Sequence, residues 1–249
     1  MISGNKLQAA FWNTLPVAIL IAVGGFLWSA QGPSAATAIP LPDPVVDQQT
    51  AGDEPQTAVI AGGCFWGIQA VFQHTKGVQV ALSGYSGGMK TNPTYEEVST
   101  GRTGHAEAVQ IKYNPREISY GQILKIYFSV AHDPTQLNRQ GPDTGTQYRS
   151  AIFYSNDEQK KVAEAYIAQL GKAGVFTAPI VTTVGQLPAF YPAESYHQDY
   201  AIKHPTQPYI AIHDLPKVDN LKRLFPNLYQ ATPVTVAARE LFRDSIFIT

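Results

Sequence analysis

Cysteine is almost absent from this chain: the 249 residues hold one, Cys64, beside two methionines. A single thiol excludes an intramolecular disulfide and a cysteine-rich zinc site, so Cys64 is either a core filler or a reactive group. Charge is scarce as well. Charged residues make up 15% of the chain, and 18 Lys and Arg stand against 19 Asp and Glu, a net charge of −1. A phosphate backbone needs a clustered basic face, so nucleic acid is not expected as a partner. The six histidines are scattered without ligand spacing, so no metal is expected either. With 44% apolar residues and no internal repeat, the remainder reads as globular material able to bury a core.

The first feature present is an uncharged apolar run, LPVAILIAVGGFLWSA, from Leu15 to Ala30. Lys6 precedes it and no Lys or Arg follows until Lys76. Pro16 and Gly24-Gly25 weaken a soluble helix here and nothing gives the run a polar face, so residues 1–30 read as an export signal or membrane anchor. Asp43, Asp47, Asp53 and Glu54 on the far side place the bulk of the chain outside the cytoplasm, in a periplasm or lumen. Cleavage and anchoring are both open. Ala36-Thr37-Ala38 offers a signal-peptidase pattern some distance beyond the run, while extension back to Ala9 makes the run long enough to span. Residues 31–56 carry Pro33, Pro40, Pro42, Pro44 and Pro55 and read as a linker. One domain is expected over 57–229, followed by a tail, 230–249, with no clear secondary-structure signal.

Within the domain, Thr57 to Ala61 reads as a buried strand ending at Gly62-Gly63, and Phe65, Ile68, Ala70, Val71 and Phe72 supply the apolar face of a helix. Strands are expected at Val78 to Tyr85, Ala106 to Tyr113, Gln147 to Tyr154 and Ile180 to Val184. Ser119 with Gln122, and Ser155 with Glu158, have capping-box spacing. The second helix puts Val162, Tyr166 and Leu170 on one stripe and stops at Gly171 to Gly174. Strands interleaved with such helices predict an α/β or α+β two-layer sandwich, a mixed sheet with helices packed on it.

On this reading Cys64 stands where a strand hands over to a helix, in the field of unpaired backbone amides, a position that favours thiolate. Phe65 and Trp66 are either core side chains of the first turn or the walls of a small apolar pocket suited to a methyl group. In RTGHAEA, Glu107 enters an apolar strand, where desolvation raises a carboxyl's pKa and keeps it protonated; the alternative is a strand-edge glutamate facing water. From His132 to Ser150 runs a long polar loop holding Asp143 and Tyr148, a length that tends to carry function. Two rival classes remain. A Cys-His acyl transferase or hydrolase would pair Cys64 with His105, His132 or His197. A tethered binding module would use Cys64 as a lipid anchor or core residue, against which stands the linker between it and the apolar run.

The segments GCFWG, GYSGG, NPTYEEV, GHAEAVQIKYNP, HDPTQLNRQG, DTGTQYRS and YHQDY, in this order, resemble the A-type peptide methionine sulfoxide reductases over about Ala58 to Tyr229. The resemblance implies a mixed sheet flanked by helices with a ferredoxin-like core. It also implies reduction of methionine S-sulfoxide in proteins, and free, with Cys64 as nucleophile, Glu107 as acid, Tyr95 and Tyr148 as donors to the sulfoxide oxygen, Asp143 in support, and Phe65 with Trp66 as the methyl pocket. His197 and Glu194 are read as shaping the site or a helix start. Many members carry further cysteines, often near the C-terminus, that resolve the sulfenic acid; here none stands there. Regeneration is therefore expected from an external thiol, thioredoxin-like or small, with no bound cofactor, on a monomer with a possible membrane tether.

Overall fold

Strand β1 (Gln56–Ala61) lies between two antiparallel neighbours in the computed structural model, which describes residues 38–48, 52 and 54–237. On one side β3 (Ala106–Tyr113) sets Val109 opposite Ile60; on the other β6 (Ala151–Tyr154) sets Ile152 opposite it. β2 (Val78–Ser86) pairs antiparallel with the far side of β3, β8 (Phe190–Pro192) edges β2, and β7 (Thr183–Gln186) runs parallel to β6. The order is β7-β6-β1-β3-β2-β8. Helix α1 (Phe65–Gln73) links β1 to β2 across β3, and α3 (Tyr120–Ile126) lies on the path from β3 to β6 across β1. Two interleaved crossovers of this kind make the ferredoxin-like core, the α/β mixed sheet flanked by helices that the sequence predicts. A two-residue ribbon, β4 (Arg139–Gln140) with β5 (Asp143–Thr144), stands apart from the sheet.

Alternation along the strands decides which side chains meet. Ala58, Ile60, Val109, Ile111 and Tyr113 share a core with Ile68, Val71 and Phe72 of α1 and Ile123 of α3, whereas Val59, Ala61, Ala106 and Ala108 pack on the opposite face with Phe153. Glu107, flanked by Ala106 and Ala108, is thereby directed to the helix face. Full burial of each Ile or Val is worth about 1.5–3 kcal/mol, against about 1 kcal/mol for a helix cap, so packing on the sheet and not capping fixes where α1 lies.

The caps still set boundaries. Ser119 and Gln122 form the expected box, and Thr94 with Glu97 forms another at α2 (Tyr95–Ser99), a short helix absent from the sequence-based expectation. Ser155 and Glu158 do not. Asn156 caps α4 (Asp157–Ala173) one residue later, accepting from the Gln159 amide, because buried Gln159 is tied by its own side chain to the Thr57 carbonyl at 2.7 Å. α4 passes through Gly171 and ends at Gly174, whose φ of 61° is the left-handed stop. The strand expected from Gln147 is shorter, since Thr146–Tyr148 is a 3₁₀ turn before β6, and the strand expected from Ile180 begins at Thr183.

The proline-rich stretch is not a free linker over residues 38–48. Leu41 is buried in the core, the Ile39 amide donates to the Ser129 carbonyl at 3.1 Å, and the Tyr166 hydroxyl donates to the Pro42 carbonyl at 2.9 Å. Asp47 accepts from the Gly121 amide at 2.7 Å and from the Ser119 hydroxyl, bracing the start of α3. Proline composition reads as linker because it carries no periodicity, yet prolines that fix an extended backbone also suit it to lie along a surface. Past Tyr229, the Gln230 and Val234 amides donate to the His74 and Gln73 carbonyls. The export segment of residues 1–30 and the tail beyond 237 lie outside the described residues. No helix among the described residues is long and apolar enough to cross a membrane.

Asp47→Ala removes the carboxylate that accepts from the Gly121 amide and the Ser119 hydroxyl, and urea unfolding of the variant is expected to show a loss of about 1.5–3 kcal/mol. An unchanged midpoint would return residues 38–48 to the status of a free linker.

Candidate active site

Cys64 is the residue before the first turn of α1, with φ −56° and ψ 125°, and is 8% exposed. Two glycines on either side of it have steric reasons. Gly63 has φ +101°, and a Cβ there would lie 2.6 Å from the Gln140 side chain; a Cβ on Gly67 would lie 2.1 Å from Asp214 Oδ1 and 2.7 Å from Lys217 Nζ. The chain therefore turns tightly into the helix and brings an ion pair against its first turn.

Glu107, 2% exposed, accepts a hydrogen bond from the Phe65 amide at 3.0 Å, so the carboxyl sits at the N-terminus that Cys64 begins. Burial pushes its pKa up to about 8, with the charges of Asp143 and Asp214 adding to the rise and the Phe65 amide opposing it. The neutral acid expected from sequence is thus what the environment favours. The thiol departs from expectation. Burial raises the Cys64 pKa well above its ordinary value, and Glu107 and Asp214 raise it further against the Trp66 amide and Lys217. A helix N-terminus alone favours thiolate, but here desolvation and carboxylates outweigh it.

The other predicted residues gather around these two. Tyr95, the first residue of α2, has its amide held by Glu194 Oε1 at 2.9 Å, while the Tyr85 hydroxyl on β2 donates to Glu194 Oε2 at 2.8 Å. The Tyr95 and Tyr148 hydroxyls are both pushed to higher pKa by burial, then by the Glu107 charge, with that of Cys64 contributing, so both phenols stay protonated and border the same pair. Asp143 accepts from the Tyr209 hydroxyl. Phe65 is fully buried against Tyr85 and His197, with ring centroids 6.0 and 5.1 Å away. Trp66 is half-buried, stacked on Tyr200 at 4.0 Å and edge-on to Tyr209.

His197, left uncertain from sequence, is the hub of this aromatic cluster: its Nδ1 accepts from Trp66 Nε1 at 3.2 Å and its ring lies 4.3 Å from that of Tyr95. Burial lowers its pKa. Its neighbours in YHQDY are anchors, since Gln198 bonds Gln69 and the Ser83 backbone and Asp199 accepts from Gln73. None of the three candidate imidazoles serves Cys64 as a base among the described residues. His105 is engaged by the Gly88 amide and Lys90 carbonyl, and His132 by Tyr127 and Ser150; burial takes the His132 pKa down to about 3. The acyl transferase class loses its general base on this geometry.

Sequence reasoning missed Asp214, Lys217 and Tyr209. A turn of π-helix over Ile210–Asp214 delivers Asp214 to the start of α5 (Leu215–Leu224), where Lys217 Nζ meets Asp214 Oδ1 at 3.1 Å; Asp214 and Lys217 are 0% and 6% exposed. The one local signal was Gly67 itself, a helix-destabilising residue in a first turn whose place only a close neighbour explains. Cys64, Asp143, Tyr209 and Lys217 line a common cavity of about 510 Å³.

An α/β fold with a lone buried thiol set against a neutral carboxyl and phenols defines a thiol-dependent oxidoreductase site. The comparisons with known proteins agree. The peptide methionine sulfoxide reductase family matches residues 56–228. Over 181 residues the chain is 62% identical to peptide methionine sulfoxide reductase MsrA 2 of Mesorhizobium japonicum, covering 73% of this chain and 93% of that one. It is 48% identical over 216 residues to MsrA 2 of Synechocystis, covering 86% and 98%. Among solved structures it resembles methionine sulfoxide reductase A of Corynebacterium diphtheriae, with TM-score 0.54, 36% identity and coverage of 68% and 85%. Reduced Mxr1 of Saccharomyces cerevisiae gives TM-score 0.58, 32% identity and coverage of 66% and 94%. The chain belongs to the A-type peptide methionine sulfoxide reductase family.

Lys217→Met takes away the cation that, among the described residues, opposes the carboxylates around the sulfur. The pH profile of Cys64 alkylation by iodoacetamide is expected to move upward in this variant and to be restored largely by Lys217→Arg; coincident profiles would remove Lys217 from the electrostatics of the site.

Proposed function

We propose that this protein reduces methionine S-sulfoxide, in proteins and free, to methionine, with Cys64 as nucleophile and Glu107 as acid. The observation that carries the reading is the buried carboxyl, with a pKa of about 8, bonded to the amide next to the lone thiol. A sulfoxide sulfur is a poor electrophile until its oxygen is protonated or strongly hydrogen-bonded. Neutral Glu107, with the Tyr95 and Tyr148 hydroxyls, supplies that donation, and Asp143, itself held by Tyr209, supports the acid by raising the cost of its ionisation. Trp66, half-buried, offers the substrate methyl an apolar wall, and Phe65, fully buried in the core, packs beside it as support rather than as an open wall.

In the step itself the Cys64 sulfur, giving up its proton, bonds to the sulfoxide sulfur while Glu107 protonates the oxygen. The hydroxyl then passes to the Cys64 sulfur as the substrate's sulfur–oxygen bond and the new sulfur–sulfur bond both break, so methionine leaves and Cys64 becomes a sulfenic acid. The thiol proton restores Glu107, and two electrons have passed from the cysteine to the substrate. No second cysteine stands in the 249 residues, so an external thiol, small or thioredoxin-like, restores Cys64. The apolar run from Leu15 to Ala30 after Lys6 supports export, with the domain in a periplasm or lumen, where repair of oxidised proteins would be its task.

Mixing enzyme with methionine S-sulfoxide and no reductant is expected to release one methionine per chain, with Cys64 gaining one oxygen by mass spectrometry; Cys64→Ser is expected to release none. An active Cys64→Ser would refute the reading. The single-turnover rate is expected to fall as pH rises through about 8, where Glu107 loses its proton, and Glu107→Gln is expected to lower the rate by roughly 10²–10⁴ and abolish that fall. Stability carries the matching sign. A carboxyl whose folded pKa exceeds its unfolded one stabilises below the unfolded value and loses that contribution as pH rises to about 8, so Glu107→Gln gains in denaturation midpoint relative to wild type at alkaline pH.

A further inference from the structure

The groups around Cys64 fall into two sets. Glu107, Tyr95, Tyr148, Phe65 and Trp66 would handle the sulfoxide, and none of them lines the cavity of about 510 Å³ into which Cys64 also opens. That cavity is bounded by Gln140, His132, Lys217 and Tyr209, and by Ile39 and the segment Val175 to Thr177, where Thr177 is exposed. The sulfur thus borders two sets of groups, the buried acid Glu107 with its two phenols in one and the cavity lining in the other, with Asp143 common to both.

We propose that this cavity is where the reducing thiol binds, and that its occupant is a low-molecular-weight thiol of amino-acid or short-peptide type. The inference rests on the sulfenic-acid reading above and says how that intermediate is discharged. Displacement at sulfur runs in line, the incoming sulfur approaching opposite the departing oxygen. Oxygen transferred from the substrate is left beside Glu107 and the two phenols, so an in-line partner must come from surroundings those groups do not occupy, and the cavity is such a place. Its volume lies within the range of small-molecule sites, roughly 300–1,000 Å³. Its polar walls carry both signs: Asp133 and Asp143 suit an ammonium group, while Lys217 and His213 suit a carboxylate or thiolate. Lys217 Nζ donates to Asp214 Oδ1, and no other acceptor meets it among the described residues, so the ammonium keeps donors for an anion in the cavity.

The chemistry balances without any other reactant. The thiol RSH attacks Cys64–S–OH, a sulfur–sulfur bond forms, the sulfur–oxygen bond breaks, and Glu107 protonates the leaving hydroxide to give water. The proton lost by RSH returns to Glu107. A second RSH then displaces Cys64 from the mixed disulfide, leaving Cys64–SH and RSSR, so two thiols are oxidised and the sulfenic acid is reduced.

The test fills the cavity from its exposed rim with Thr177→Trp, using Thr177→Ala as the control for loss of the native side chain. Methionine release in the first turnover without reductant is expected to match wild type in both variants. Recycling by cysteine or glutathione, followed as steady-state turnover and as the rate of mixed-disulfide formation on Cys64 by mass spectrometry, is expected to fall roughly tenfold or more in Thr177→Trp alone. Unchanged recycling by the small thiols in that variant, or wild-type recycling by a thioredoxin-type dithiol but not by small thiols, would overturn the proposal. Equal losses of first turnover and recycling would also overturn it. Failure of the wild type to release methionine in the first turnover would instead strike the proposed function.

Discussion

The hydrogen bond from the Phe65 amide to Glu107 joins the two halves of the site, and it embodies a contest. An amide at a helix start stabilises a carboxylate, while burial of that carboxylate at 2% exposure destabilises it. Burial wins, as the rise to about 8 records. The contact therefore positions Glu107 without ionising it. It exists only because β3 turns the Glu107 side chain toward the helices and because α1 begins over that point of the sheet. β2 places Tyr85 opposite Glu107 and, through Glu194, ties down the start of α2 where Tyr95 stands.

Charge balance explains why both partners rest in their neutral forms. Glu107, Asp143, Asp214 and the Cys64 thiol are four potential anions in one neighbourhood, and Lys217 is the cation buried beside them. Close like charges cannot all be carried in a desolvated site, so the groups with most to lose from ionisation keep their protons. Asp214 takes the cation, although burial raises its pKa too. Protonating Glu107 also removes the second-largest influence that raises the Cys64 pKa, so the acid that would activate the substrate makes the nucleophile easier to ionise.

How much of this was legible in sequence depends on distance along the chain. The strand from Thr57, the capping box at Ser119, the buried stripe of α4 and the placement of Cys64 at a helix start are local patterns, and they are legible because burial and capping act over a few residues. Glu107 was readable from its apolar flanks. Tyr209, Asp214 and Lys217 were not, since they lie more than a hundred residues beyond the cysteine and no periodicity connects them to it. The neutral state of the thiol was misjudged for the same reason: a helix terminus is visible in sequence, whereas the carboxylates that oppose it arrive by tertiary folding. The docked stretch of residues 38–48 was misread because proline-rich composition is shared by free and bound extended segments.

A resting thiol has a consequence for a site with no second cysteine. The thiolate is the form that oxidants attack, and oxidation beyond the sulfenic stage is not reversed by ordinary thiols. A permanently ionised Cys64 in an oxidising environment would be exposed to that loss, with no neighbouring cysteine to trap the sulfenic acid as a disulfide. Burial and surrounding carboxylates hold the proton on the sulfur at rest, and ionisation is favoured where Glu107 is neutral and Lys217 lies close. The same burial and electrostatic arrangement that slows the free nucleophile thereby limits its irreversible oxidation.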